Sequence, residues 1–162
     1  MDFDKTKKIW DIERRSDKPE RIVFIYNALK KLNLPSNFSI LDMAGGRGVV
    51  LNGLSGLFPK CQPTIVDIRS YENDWFKFRA NIKTIISPLQ DFIKSTEQKF
   101  DVVMMLNCYR NWSKHAEVKL LVDKWLETHT KYFVTSGCRT TWEQLDITGD
   151  DYKSALQLFK IS

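Results

Sequence analysis

Residues 40–48 read Ile40-Leu41-Asp42-Met43-Ala44-Gly45-Gly46-Arg47-Gly48, and they decide the fold. An apolar run closes on an acid, turns through three glycines and enters a segment with helical apolar spacing from Val49 onward. Glycine reaches positive φ without a steric penalty and lets a ligand approach the backbone. A helix start leaves its first amide N–H groups without intrahelical partners. Strand, glycine turn and helix start together make a ligand-binding loop, although the same glycines by themselves would also serve a plain surface turn.

Outward from this loop, short apolar runs at 38–43, 64–68, 84–86, 100–106 and 132–135 alternate with helical patterns at 49–58, 71–80, 89–96 and 113–128. Strands separated by helices imply crossover units, hence a parallel sheet with helices on both faces. The unbroken run Val102-Val103-Met104-Met105-Leu106 suits a strand buried on both sides. Upstream, Ile22, Ile25, Tyr26, Leu29 and Leu32 mark an amphipathic helix over 19–32 with Pro19 in its first turn and Ser16 or Asp17 as its cap. Another helix is expected over 3–15. Behind the turn Thr148-Gly149-Asp150, the stripe Tyr152, Ala155, Leu156 and Phe159 predicts a closing helix. The expected architecture is α/β and doubly wound, with a mostly parallel sheet of five to six strands.

A length of 162 residues accommodates one domain, 1–162, with 1–35 as an N-terminal helical segment. Apolar residues at 43% and charged residues at 28% exclude disordered, collagen-like and membrane-spanning classes. Net charge is +5, and the surplus is largest in residues 1–35, where a basic segment could meet phosphates. There, however, Lys and Arg alternate with acids as on an ordinary solvated helix. Cys61, Cys108 and Cys138 are odd in number and lack CxxC spacing, which suggests neither a disulfide framework nor a zinc site, so a cytoplasmic location and no metal are expected.

Asp67 closes the second strand 21 positions after Gly46, near the roughly 20 at which an acid meets ribose hydroxyls in nucleotide-binding folds. It would equally cap the segment that follows. A dinucleotide loop needs GxGxxG, and here the third glycine is replaced by Leu51. The stretch instead resembles the cofactor loop of class I S-adenosylmethionine-dependent methyltransferases, hydrophobic-hydrophobic-Asp-hydrophobic-Gly-x-Gly-x-Gly. Asp42 is then the acid, and Ala44, Gly46 and Gly48 take the glycine places. The Ala-Gly-Gly version of this loop is familiar among quinone-biosynthesis methyltransferases.

The resemblance covers residues 38 to about 136. It implies S-adenosylmethionine as cofactor, with Asp42 and the loop Ala44, Gly45, Gly46 and Gly48 at its amino-acid end, Asp67 on the ribose and Ile68 against the adenine. Ser87-Pro88-Leu89-Gln90-Asp91 follows the third strand. It departs from the family's usual acid there, so Ser87, Leu89, Gln90, Asp91 or backbone would meet the adenine. The residue after strand four faces the methyl group in this family. That makes Asn107 both a cofactor contact and, with Tyr109, a candidate catalytic residue, since oxygen lone pairs and π faces suit a sulfonium. The plainer alternative has Tyr109 and Trp112 capping the core and His115 on the surface. Class I enzymes usually finish with an antiparallel strand pair. Residues 137–162 are too few for a helix plus a full hairpin, so the hairpin is expected to be reduced or absent. Two functions follow: a methyltransferase acting on a small molecule or RNA, or a non-catalytic S-adenosylmethionine-binding module that relies on a partner for its acceptor.

Overall fold

The computed structural model describes residues 19–69, 81–106, 108–148 and 155–162. The expected helices at 3–15 and 71–80, the cap at Ser16 or Asp17, the turn residues Gly149 and Asp150, Tyr152 and the candidate Asn107 lie outside the described residues. In chain order the elements are α1 (Pro19–Lys30), β1 (Ser39–Met43), α2 (Val49–Leu57), β2 (Gln62–Asp67), β3 (Lys83–Ile86), α3 (Leu89–Ser95), β4 (Phe100–Met105), α4 (Tyr109–Trp112), α5 (Ala116–His129), β5 (Thr130–Ser136), β6 (Glu143–Ile147) and β7 (Leu156–Lys160).

The seven strands form one sheet in the order β3-β2-β1-β4-β5-β7-β6. β1 to β5 are parallel. β7 is antiparallel to both β5 and β6, so β6 runs with the parallel set and, among the described residues, β7 is the single reversed strand. Strand order turns around at β1, which pairs with β2 on one side and β4 on the other. In open sheets of this kind ligands bind beyond the carboxyl ends at such a switch point.

Alternating side chains feed two cores. Ile40, Val102, Met104 and Val134 pack with Leu51 and Leu54 of α2 and Ile25 and Leu29 of α1. Leu41, Met43, Val103, Met105 and Phe133 pack with α3 and α5 through Phe92, Val122, Trp125 and Leu126. β4 therefore contributes to both layers and is buried throughout its centre, as its unbroken apolar run predicts.

The C-terminal segment departs from the expected helix. Residues 156–160 are β7, registered as Leu156↔Ser136 and Phe159↔Phe133 on β5, and an antiparallel pair with β6 completes the sheet. Strands at this position bury both faces: Leu156 and Leu158 enter one core and Phe159 the other. Spacing at i, i+1 and i+4 fits a helix stripe, but Leu158 and Phe159 both reach apolar surroundings only if the chain is extended. Gln157 is buried in the strand because it accepts from the Cys138 amide at 2.9 Å and donates to Gln144 Oε1 at 3.0 Å.

The hairpin expected to be reduced or absent is thus present, and the segment between β5 and β6 holds no helix. Residues 137–142 return from the end of β5 to the start of β6 without a helix. Gly137 turns the chain at φ 60, Cys138 is buried, and Trp142 lays its ring against Phe133 and Phe159 at centroid distances of 5.7 and 6.4 Å. One indole and one thiol cover the sheet where a helix would otherwise lie.

Candidate functional site

At the carboxyl end of β1 the chain leaves the sheet through the glycine loop. Ala44 donates its amide to the Val66 carbonyl at 2.8 Å and sits at φ 55, a left-handed conformation that a Cβ disfavours. Gly46 at φ 57 and Gly48 at φ 69 take the same region. Gly45 is required for another reason: a Cβ there would lie 2.6 Å from Cγ and 2.7 Å from Oδ2 of Asp42. A Cβ on Gly46 would meet nothing within 4 Å, so the tip of the loop borders open space. Gly48 caps α2 with no side-chain hydrogen bond, leaving the first amides of that helix available.

The end of β2 holds this loop in place. Asp67 Oδ2 accepts the Gly46 amide at 2.9 Å and Oδ1 accepts the Arg69 amide at 3.1 Å. The Asp67 carbonyl accepts the Ser87 amide at 2.9 Å, joining the ends of β2 and β3. Asp42 is only 3% exposed, and burial, with the nearby Asp67 charge adding to it, raises its carboxyl to about 7.

These strand ends border a cleft of about 580 Å³, within the range of small-molecule sites. It brings together six of the residues expected from sequence: Ala44, Asp67, Ile68, Ser87, Leu89 and Gln90. Ile68 is 66% exposed, an apolar side chain left at the mouth of the cleft. Gly46 reaches this group through its bond to Asp67, and Asp42 lies beneath the loop, against Gly45. Asp91 does not line the cleft; it is exposed in the first turn of α3. The opposite wall was not anticipated as part of a site. It comprises Trp112 at the end of α4, His115 just before α5, and Val118 and Val122 of α5. His115, Val118 and Val122 stand at i, i+3 and i+7, so one helix stripe faces the cleft, and that spacing was available as a signal.

Tyr109 is not at the cleft. Its side chain is 0% exposed, its ring meets Phe133 edge-on at 5.1 Å, and its hydroxyl donates to Asp123 Oδ1 at 2.6 Å. Asp123 is also paired with Lys119. Burial and then the Asp123 bond hold the phenol well above its ordinary value. The expected catalytic tyrosine is therefore a core aromatic, drawn inward because β5 and the 137–142 crossover present Phe133 and Trp142 to its ring. Cys108 donates its thiol to the Met43 carbonyl at 3.5 Å. Burial, then the Asp42 charge, pushes that thiol up to about 12, which removes it as a nucleophile at neutral pH.

No family model matches the chain, and no curated protein matches it in sequence. Solved structures do. The magnesium protoporphyrin IX methyltransferase ChlM from Synechocystis PCC 6803, with bound SAM, superposes with a TM-score of 0.65 at 11% identity, over 94% of this chain and 82% of that one. A SAM-dependent methyltransferase from Aquifex aeolicus gives 0.61 at 14% identity over the whole of both chains. The plantazolicin methyltransferase BpumL, in complex with a monoazolic desmethylPZN analog and SAH, gives 0.57 at 18% identity over 82% of this chain. The present chain spans about half of BpumL, 52% of its length. The fold is that of the class I S-adenosylmethionine-dependent methyltransferases.

Proposed function

We propose that the chain binds S-adenosylmethionine in the 580 Å³ cleft and transfers its methyl group to a small molecule or an RNA. The observation that carries this reading is the Asp67 carboxylate, which holds the Gly46 amide and borders the cleft beside the exposed Ile68. The residues present fit the cofactor: open space over Gly46 admits a ligand to the backbone, Asp67 offers lone pairs to a ribose, and Ile68 and Leu89 offer apolar surface to a base. Gln90 supplies an amide that can both donate and accept at a base edge. Leu51, standing where a dinucleotide loop has its third glycine, is fully buried between α2 and the sheet, which disfavours NAD.

Bound there, S-adenosylmethionine would supply a methyl carbon activated by a sulfonium. The protein's part is orientation, because an in-line displacement on an activated carbon gains most from positioning and needs no obligatory acid or base. Calorimetry with S-adenosylmethionine, S-adenosylhomocysteine and NAD tests the proposal. Binding of NAD alone would overturn it.

The burial of Tyr109 favours a second reading, a non-catalytic cofactor-binding module that depends on a partner for its acceptor. A methylation assay across RNA, DNA, protein and small-molecule pools separates the two. A cytoplasmic site of action belongs to the same proposal and is supported by three free cysteines. Among the described residues no helix is long and apolar enough to cross a membrane.

A further inference from the structure

The loop after β1 touches two carboxylates. Asp42 lies directly under Gly45, its Oδ2 2.7 Å from where a Cβ would stand, and Asp67 takes the amide of the next residue, Gly46. The two feel each other's charge, and Asp42 is almost wholly removed from water. No ion pair among the described residues reaches Asp42. Its other titratable neighbour is the Cys108 thiol from the turn after β4, held neutral by a value near 12. Arg47, the one basic residue of the loop, is itself buried.

A buried carboxyl beside a like charge retains a proton until a cation offsets it. We propose that Asp42, buried under the loop beside Asp67, exchanges a proton for the positive charge of the bound cofactor, so that cofactor binding releases a proton to solvent. The inference rests on the S-adenosylmethionine reading above. The balance is simple: the Asp42 carboxylic acid becomes a carboxylate, the ligand's cation compensates its charge, and the proton passes to buffer. A carboxyl raised to about 7 is mostly protonated half a unit below that value, so most sites would release a proton there.

Calorimetry on the full chain at about pH 6.5, in phosphate and in Tris, counts these protons, because the two buffers take them up with different heats. The expected result is more than about half a proton released per S-adenosylmethionine bound, with affinity rising about tenfold or more between about pH 5.5 and 7.5. S-Adenosylhomocysteine, whose sulfur carries no charge, should release fewer. Asp42→Asn should erase the difference between buffers. Equal heats in both buffers for the wild-type chain, with binding intact, overturn the proton exchange and leave the cofactor reading standing. Absence of binding by either compound at every pH overturns both.

Discussion

The amide of Gly46 donates to Oδ2 of Asp67 at 2.9 Å, tying the tip of the loop after β1 to the end of β2 across 21 residues of sequence. One carboxylate thus shapes the glycine loop and borders the cleft, so its removal should register in two measurements.

Asp67→Ala should weaken S-adenosylmethionine binding by about 1–3 kcal/mol, the scale for hydrogen bonds to a charged group. It should also lower stability by about 1 kcal/mol, because the Gly46 and Arg69 amides lose their acceptor. Asp67→Asn keeps an oxygen for Gly46 and should restore most of the stability but not the affinity. Calorimetry and urea unfolding on both variants check this. Wild-type affinity in a folded Asp67→Ala protein would return Asp67 to a purely structural role.

Tyr109→Phe removes only a hydroxyl that donates to Asp123 at 2.6 Å in the core. Asp123 keeps Lys119, so the loss should be about 1–2 kcal/mol, a fall in Tm of roughly 3–8 °C for a chain of this size. Cofactor affinity should not move. A variant with unchanged Tm and weakened binding would place the tyrosine at the site after all.

Ala44 is the one described non-glycine residue at positive φ. Ala44→Gly relieves that conformation, and although glycine gains freedom in the unfolded chain, the balance at such a position favours glycine by about 0.5–1 kcal/mol. Urea unfolding should show a higher midpoint with an unchanged slope. A lower midpoint would mean that the Ala44 methyl packs usefully against the cleft wall.

Most of the parallel half of this fold is legible in the sequence because each of its strands is a short apolar run flanked by turn residues. β1, β2, β3, β4 and β5 lie within two residues of the runs at 38–43, 64–68, 84–86, 100–106 and 132–135. The last strand was not legible. Ala155, Leu156 and Phe159 fit a helical stripe, Leu156 to Phe159 fit a strand buried on both faces, and the pairing with Ser136 and Phe133 across the sheet decides between them. The near wall of the cleft follows from one local motif and one acid at a known spacing. The stripe His115, Val118 and Val122 is visible in the sequence as one face of a helix, but that this face and Trp112 meet the ends of β2 and β3 across a cleft is a long-range fact that no local pattern encodes. Tyr109 was misplaced for the same reason: its position after β4 suits a site, but Phe133 and Trp142, distant in sequence, enclose it.

Asp42 makes stability depend on pH in a direction opposite to that of an ordinary paired carboxylate. Its folded value of about 7 exceeds the unfolded 3.8, so between these limits the native state binds more protons than the unfolded chain. Stability should therefore fall as pH rises from about 4 to about 7, by at most on the order of 4 kcal/mol, and level off above that range. Asp42→Asn lacks the titration. Close to wild type at about pH 5, where the native carboxyl is still neutral, it should become the more stable of the two at about pH 8, where the wild type must bury a charge beside Asp67. Urea midpoints for both proteins at the two pH values provide the comparison. Parallel curves across this range would show that the Asp42 carboxylate is ionised in the native state well below neutrality, which would remove the basis for proton release on cofactor binding as well.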